Sequence, residues 1–232
     1  MVYITGDTHA DIDIHKLTTT AFPDQLRMTK NDYVIILGDF GFVWDGGKSD
    51  TWWQNWLTKK NFTTLFIDGN HDNHELIWSY PEVEMFGDKV REITPSIFYL
   101  QRGHVYTIEE HTFLTIGGAE SIDRIYRTEG VNWWATEKIE PVDVSDALIN
   151  AEDKTETGYV DYVLTHCAPC FIENQISPYI SHTSSSELLG DLAHMITGFG
   201  HWYFGHYHTE NVYYDSEDCP YTCLYNSVER LC

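Results

Sequence analysis

Five short apolar segments of this chain of 232 residues run into side chains that can bind a metal ion. One of them covers residues 64–67, and Asn70, His71 and Asp72 follow it after an Asp-Gly step. Together these three residues offer an amide oxygen, a carboxylate and an imidazole that can give or take a proton near neutral pH. A turn rich in Asn, Asp and Gly is also ordinary at a strand end, so one such segment decides nothing.

The other four segments repeat this arrangement. Each ends in residues of the same ligand types, and a glycine stands beside the ligand residue in four of the five segments. The spacings Asp-x-His and His-x-His place two donor side chains on the same side of an extended or turning backbone. The candidate metal ligands are Asp7, His9, Asp39, Asn70, His166, His206 and His208.

This mixed oxygen and nitrogen donor set favours manganese, iron, zinc, nickel or cobalt over calcium, which prefers oxygen ligands alone. Seven ligands exceed the need of one ion and suit two ions that share a carboxylate. Two-metal hydrolytic sites hold their ions about 3.5–4 Å apart. We therefore expect a cofactor of two divalent metal ions, with manganese as the first choice.

Such a pair of ions would make the site electropositive within an acidic protein. Two divalent ions bring four positive charges, and Asp7 and Asp39 bring two negative ones, so the site can attract a phosphate anion. A water that bridges two cations loses its proton near neutral pH, as the water on a single zinc ion does with a pKa of about 7. The predicted reaction is attack of this metal-bridging hydroxide on a phosphomonoester or phosphodiester.

His71 is predicted to have a different role from the ligands. It follows the candidate ligand Asn70, so we expect its ring to point past the metal ions toward the leaving oxygen. There it would act as a general acid, or stabilise the transition state as an imidazolium. Asp72 or Asp39 is the expected orienting partner, and we count Asp72 with His71 as a candidate catalytic residue. The alternative is a packed histidine at a turn.

The charge balance limits the class of partner. The chain has 36 acidic and 14 basic residues, which gives a formal net charge of −22. Long nucleic acids are bound by stripes of Lys and Arg, so the acidic composition disfavours them. A small phosphoester is the expected partner, because the metal ions themselves can supply the positive charge that binds it.

Length and apolar patterning predict one domain over residues 1–232. The sequence has no run of 18 apolar residues, so no membrane span is predicted. It begins with a strand pattern and shows no signal peptide. A cytoplasmic protein is therefore expected, whereas the oligomeric state is not determined by these patterns.

The order of the predicted elements indicates two packed sheets with helices outside. Strands and helices alternate at the start of the chain, and short strands with hairpin spacing follow at 90–120. Residues 119–158 are predicted to form a long cap-like loop with one helix around 143–152. Arg124 and Arg127 lie in this loop, where they either contact a substrate phosphate or remain solvated cations.

The five cysteines raise a different site as an alternative. Cys167 and Cys170 together with Cys219 and Cys223 can be interpreted as a four-thiolate zinc site, although the second pair has an unusual spacing. A redox Cys-x-x-Cys motif is less well supported still, because no thioredoxin-like helix is predicted after it. We interpret these cysteines as reduced, buried or incidental thiols.

The five strand-end motifs resemble the five blocks of the calcineurin-like metallophosphoesterases, in the same order and across residues 7–208. The resemblance implies an α/β fold, a four-layer α/β/β/α sandwich of two mixed sheets with the site at the strand ends. It also implies that His71 is the catalytic histidine. The implied ligands are Asp7, His9, Asp39 and His208 for one metal ion, and Asp39, Asn70, His166 and His206 for the other, with Asp39 bridging.

Three departures separate the chain from the Ser/Thr phosphoprotein phosphatase branch of that family. Ala10 and Asp72 replace a glycine and a glutamate of that branch, and residues 38–44 lack its phosphate-binding arginine. Protein phosphatase activity is therefore disfavoured, and phosphodiesterase or small-molecule phosphatase activity stays open. The alternative is a catalytically silent, metal-binding interaction module of the same fold. A family member of that kind lacks the catalytic histidine, whereas His71 is present here.

Overall fold

The strands that precede the candidate ligands are apolar on both faces. Along Tyr33–Leu37, alternate side chains belong to two different clusters of the hydrophobic core. Successive side chains of a strand point to opposite faces of a sheet, so a strand that is apolar at every position is covered on both sides. Val2–Thr5 and Thr63–Ile67 are likewise buried at every position. These three segments are therefore interior strands of a covered sheet.

The computed structural model describes residues 1–232, and its strands form two mixed sheets. The strands are β1 (Val2–Thr5), β2 (Tyr33–Leu37), β3 (Thr63–Ile67), β4 (Glu82–Met85), β5 (Asp88–Thr94), β6 (Ile97–Leu100), β7 (His104–Ile108), β8 (His111–Ile116), β9 (Tyr159–Thr165), β10 (Gly198–Phe204), β11 (Asn211–Tyr214), β12 (Pro220–Cys223) and β13 (Val228–Arg230). The first sheet has the order β13-β1-β2-β3-β6-β5-β4, and the second has the order β11-β12-β10-β9-β8-β7. In each sheet the four central strands β1-β2-β3-β6 and β8-β9-β10-β12 are parallel.

Helices cover the outer face of each sheet. They are α1 (Lys48–Thr58), α2 (His74–Ser79), α3 (Pro141–Lys154), α4 (Cys170–Ile176) and α5 (Ser184–Met195). Helices α1 and α2 contact the first sheet, and helices α3 and α4 contact the second sheet. Helix α5 packs against helices α3 and α4. A third core cluster joins the inner faces of the two sheets. The predicted four-layer α/β/β/α sandwich is confirmed.

Residues 119–138, which we call the cap segment, cross the edge of the sheets where β3 ends. Arg102 holds the end of this segment through its guanidinium, which pairs with the buried carboxylate of Asp68 and donates to the carbonyls of Glu137 at 3.1 Å and Lys138 at 2.7 Å. A buried ion pair of this kind leaves a costly unpaired charge if either partner is removed. Asp68 directly precedes Gly69 and Asn70, so the cap segment is fixed against the predicted site.

Two other predictions from the sequence can be compared with the fold. The described helices include no segment with the length and hydrophobicity of a membrane span.

All five cysteines are free thiols, and no group of three or more potential metal ligands includes one of them. The four-thiolate zinc site is therefore not formed, although Cys170 does begin the short helix α4.

Candidate metal centre

The predicted ligands come from loops that follow parallel strands of both sheets. Strands β1, β2 and β3 lie side by side in the first sheet, and β9 and β10 are neighbours in the second. The carboxyl ends of parallel strands meet at one edge of a sheet, where the loops can form a common site. Local sequence therefore places each ligand at a strand end, and the parallel topology brings the strand ends together.

Three overlapping clusters of potential ligand atoms lie at this edge, each with its atoms within 4.8 Å of one another. Asp39 belongs to two of these clusters, and its carboxylate faces two histidines at once. Its Oδ2 lies 3.1 Å from His9 Nε2, and its Oδ1 lies 3.3 Å from His166 Nε2. This is the arrangement that a shared carboxylate between two cations requires. The clusters are Asp7–His9–His208, Asp7–Asp39–His166 and His9–Asp39–His71.

The Asp7 carboxylate supplies a test of whether cations fit here. Its side chain is completely buried, and Oδ1 accepts a hydrogen bond from the backbone N–H of His206 at 3.0 Å. Oδ2 has no hydrogen-bond partner, although His208 Nε2 lies 3.2 Å away. A buried carboxylate oxygen without a partner is costly. A metal ion between Asp7 and His208 would remove that cost, so these residues fit a bound cation.

Two histidines are held so that Nε2 faces the cluster. His166 Nδ1 donates to the carbonyl of Leu37 at 2.7 Å, and His9 Nδ1 donates to Asp13 at 2.8 Å. Metal-binding histidines commonly donate their second ring N–H to a carbonyl or carboxylate in this way. Burial disfavours charged rings, but the carboxylates of Asp39 and Asp7 outweigh it and raise the pKa of His9 to about 9 and of His166 to about 10. The carboxylates thus attract positive charge strongly.

Asn70 is oriented by a chain of hydrogen bonds that the sequence analysis did not predict. Its Nδ2 donates to Ser121 Oγ at 3.1 Å, and that hydroxyl donates to the buried Glu137 carboxylate at 2.7 Å. Because a carboxylate only accepts, the Ser121 hydroxyl must accept from Asn70. The amide oxygen of Asn70 then faces His166 Nε2 at 3.2 Å. Ser121 and Glu137 belong to the cap segment, and no local motif marks them.

We expect the Ser121→Ala variant to bind manganese about 10- to 100-fold more weakly, the range typical for loss of a group that orients a ligand. Without the hydroxyl, the Asn70 amide can rotate and lose its fixed oxygen. Calorimetric titration with manganese measures the affinity. The control is Ser145→Ala, because Ser145 lies on the exposed face of α3 and its hydroxyl bonds only the carbonyl of Val142. Equal affinities for the two variants would contradict the orienting role.

The backbone at the site is strained, which is typical of functional positions. Four predicted ligands have positive φ angles: His9 at 41°, Asp39 at 46°, His206 at 67° and His208 at 50°. The glycine beside Asn70 has a steric reason instead, because a Cβ at Gly69 would lie 2.1 Å from Asp39 Oδ1. A Cβ at Gly38 or Gly205 would likewise overlap the side chain of His166 or Asp7, whereas one at Gly6 would meet the backbone of Leu224. Three of the four recurrent glycines therefore make room for candidate ligand side chains.

His71 belongs to one of the three clusters, with His9 and Asp39, and its ring also contacts Arg127 of the cap segment. Arg127 Nη1 is 2.9 Å from His71 Nδ1. Asp39 contacts the backbone rather than the ring of His71, accepting the N–H at 2.8 Å. Of the two arginines singled out in the sequence, the side chain of Arg124 makes no hydrogen bond or ion pair, whereas that of Arg127 also pairs with Asp123. The structure thus separates the two arginines that sequence alone treated alike.

The predicted contact between Asp72 and the His71 ring is wrong. The Asp72 carboxylate is completely buried and accepts the backbone N–H groups of Phe40, Gly41 and Gly69, at 3.1, 2.8 and 2.8 Å. The side chain turns inward because three otherwise unpaired N–H groups of neighbouring loops converge on it. Asp72 therefore fixes the loops that carry Asp39 and Asn70, and it does not face a substrate.

Among the predicted histidine and aspartate ligands, His206 alone belongs to no cluster. Its ring packs edge-on against His166, with a centroid distance of 5.0 Å, while its backbone N–H binds Asp7. Burial and the nearby His166 lower the pKa of His206 to about 4. A neutral imidazole is the form that ligates metals, so the ring is available next to His166.

An open groove of about 470 Å³ adjoins the centre and exposes His9 and His71 on one wall, with Trp44 and Asp45 on another. A larger cavity of about 630 Å³ lies on the far side of the second sheet, against Phe171 and Tyr221. None of the metal-ligand clusters lies in the larger cavity. Chemistry rather than size therefore selects the groove beside His71 as the place for a substrate.

A family model described as calcineurin-like phosphoesterase matches residues 1–210 of the chain. Among solved structures, the chain is similar to the phosphopantetheinyl hydrolase of Mycobacterium tuberculosis, with 13% sequence identity and a TM-score of 0.42. That alignment covers 97% of this chain and 89% of the hydrolase chain. Curated proteins include no match.

Proposed function

This chain belongs to the calcineurin-like phosphoesterase family, and we propose that it is a dinuclear metal-dependent phosphoesterase. The observation that carries the proposal is the Asp39 carboxylate, whose two oxygens face His9 and His166 on opposite sides. A fold by itself does not determine function, whereas convergent carboxylate and imidazole groups beside a groove support a hydrolytic metal site.

We assign two overlapping sets of ligands to two divalent ions, with manganese preferred. The first set gains support from the cluster at the unpaired Asp7 oxygen, and the second from the fixed Asn70 amide and the Nε2 of His166. Divalent ions supply Lewis acidity, which lowers the pKa of water and neutralises charge on phosphoryl oxygens. The first set is Asp7, His9, Asp39 and His208, and the second is Asp39, Asn70, His166 and His206.

His71 is assigned to the leaving group. A guanidinium can only donate hydrogen bonds. Its closer contact is from Nη1 to His71 Nδ1 at 2.9 Å, whereas Nη2 lies 3.5 Å from Nε2, so we assign Nδ1 as the acceptor and place the proton of the neutral ring on Nε2. Burial lowers the pKa of His71, and the Arg127 charge acts in the same direction. The ring therefore acts as a neutral hydrogen-bond donor to the leaving oxygen, rather than as the imidazolium that the sequence analysis also considered.

A small phosphoester is the proposed substrate class. The groove beside His71 has acidic side chains at Asp11 and Asp45, and the whole chain has a formal net charge of −22. Both features disfavour a leaving group with many negative charges, such as a nucleic acid strand.

The manganese-loaded protein is expected to hydrolyse p-nitrophenyl phosphate, bis(p-nitrophenyl) phosphate or both. Release of nitrophenolate measures the rate, and elemental analysis measures the metal content. Activity should vanish after chelation and return with added manganese, because the proposed reaction depends on water activated by the metal ions. Absence of turnover on both esters, with two ions bound per chain, would instead favour the silent interaction module.

A further inference from the structure

Arg127 is clamped so that one edge of its guanidinium faces the centre. Its Nε and Nη2 donate to the two carboxylate oxygens of Asp123 at 2.7 and 2.8 Å. Its Nη1 lies 2.9 Å from His71 Nδ1 and 3.2 Å from the carbonyl of Asn132, and its Nη2 also lies 3.5 Å from His71 Nε2. Apart from His71, every partner belongs to the cap segment. A bidentate carboxylate fixes the plane of a guanidinium, so the direction of Nη1 is preset.

Other cations near the centre are already engaged. Lys16 is buried beneath Asp7, and its ammonium group donates to the backbone carbonyls of Gly6, Asp7 and Tyr225. The guanidinium of Arg102 pairs with Asp68 and donates to carbonyls of the cap segment. Arg127 alone among these three directs donors toward His71, whose ring belongs to a cluster with His9 and Asp39.

We propose that Arg127 binds the phosphoryl group of the substrate and selects phosphomonoesters over phosphodiesters. The proposal rests on the proposed function. A monoester carries a second negative charge and a third non-bridging oxygen that a diester lacks. Arg127 is the cation positioned to receive them, because its guanidinium contacts His71, which lies in a cluster with His9 and Asp39. In a diester, that third oxygen carries a substituent, and the guanidinium occupies the space it would need.

Residues 38–44 contain no arginine. In this proposal Arg127 of the cap segment supplies the phosphate-binding cation instead. Docking of the cap segment on Arg102 and Asp68 fixes one end, and the pair Asp123–Arg127 presents the guanidinium. The substrate preference is set by this segment, whereas the metal ligands come from the strand ends.

Binding of inorganic phosphate to the manganese-loaded protein tests the contact without catalysis. We expect Arg127→Ala to weaken the calorimetric affinity about 10- to 100-fold, as expected for loss of a charged hydrogen bond. Arg127→Lys should recover part of it. The matched control is Arg124→Ala, which removes the same charge three residues away from a side chain without a partner. Equal phosphate affinity in the wild type and Arg127→Ala, or no phosphate binding by the wild type, would overturn the proposal.

Turnover measurements distinguish two roles of Arg127, namely binding the substrate phosphate and positioning the His71 ring. In Arg127→Ala, kcat/KM for p-nitrophenyl phosphate should fall at least 10-fold more than for bis(p-nitrophenyl) phosphate. An equal fall on both esters would mean that Arg127 only positions His71 and would overturn the proposal. A wild type that binds phosphate through Arg127 but hydrolyses neither ester would refute the proposed function and leave the binding role intact.

Discussion

Asp39→Asn is expected to lose metal ions and to hydrolyse aryl phosphates at least about a thousandfold more slowly. The substitution keeps the volume of the side chain and removes the negative charge that faces His9 and His166 at 3.1 and 3.3 Å. Both ions would lose a shared ligand at once, so the metal content should fall below one ion per chain. Elemental analysis after gel filtration and the rate of nitrophenolate release measure the two effects.

The control for this change is Asp161→Asn on the second sheet, where the carboxylate accepts hydrogen bonds from Thr112 far from the centre. It should keep both ions and the full rate. If Asp39→Asn retained two ions with unchanged affinity, Asp39 would not be a shared ligand, and the dinuclear assignment would fail.

His71→Gln is expected to lower kcat by about 10²- to 10⁴-fold while the metal content stays near that of the wild type. The reason is that His71 acts on the leaving oxygen and is assigned to neither ion. The loss should be larger for phenyl phosphate than for p-nitrophenyl phosphate, since the more basic leaving oxygen depends more on a hydrogen-bond donor.

The matched control is His194→Gln, because His194 is exposed on α5 and its ring contacts a carbonyl of its own helix. It should leave rate and metal content unchanged. Loss of metal together with activity in His71→Gln would make His71 a ligand, in line with its place in the cluster with His9 and Asp39. An equal loss of kcat on phenyl phosphate and p-nitrophenyl phosphate would contradict the assignment of His71 to the leaving group.

Much of the fold was predictable from local sequence, because strand burial and strand ends are local properties. A strand that is apolar at every position, such as Tyr33–Leu37, must be covered on both faces. The glycines next to the candidate ligands are also visible in the sequence, and the structure gives the reason at Gly69, where a Cβ would lie 2.1 Å from Asp39 Oδ1. These local features also sufficed to identify the family, which the match over residues 1–210 confirms.

The surroundings of the predicted residues were not predictable in the same way. Asp72 has the same sequence neighbours whether it faces His71 or the backbone, and only the approach of the loop at Phe40 and Gly41 decides between them. Its inward orientation corrects the expectation that Asp72 orients the His71 ring. The physical reason is that buried N–H groups must be paired, and which groups are buried depends on packing.

The sequence by itself thus determined which side chains lie at the strand ends and what chemistry they offer, because strand period and glycine spacing act within a few residues. Only the tertiary structure decided that Ser121 and Glu137 fix the Asn70 amide and that Arg127 reaches His71, 56 residues away along the chain. Those contacts depend on how the cap segment docks on Arg102 and Asp68. Docking of an irregular loop follows from long-range pairing of buried charges, and no local periodicity encodes it.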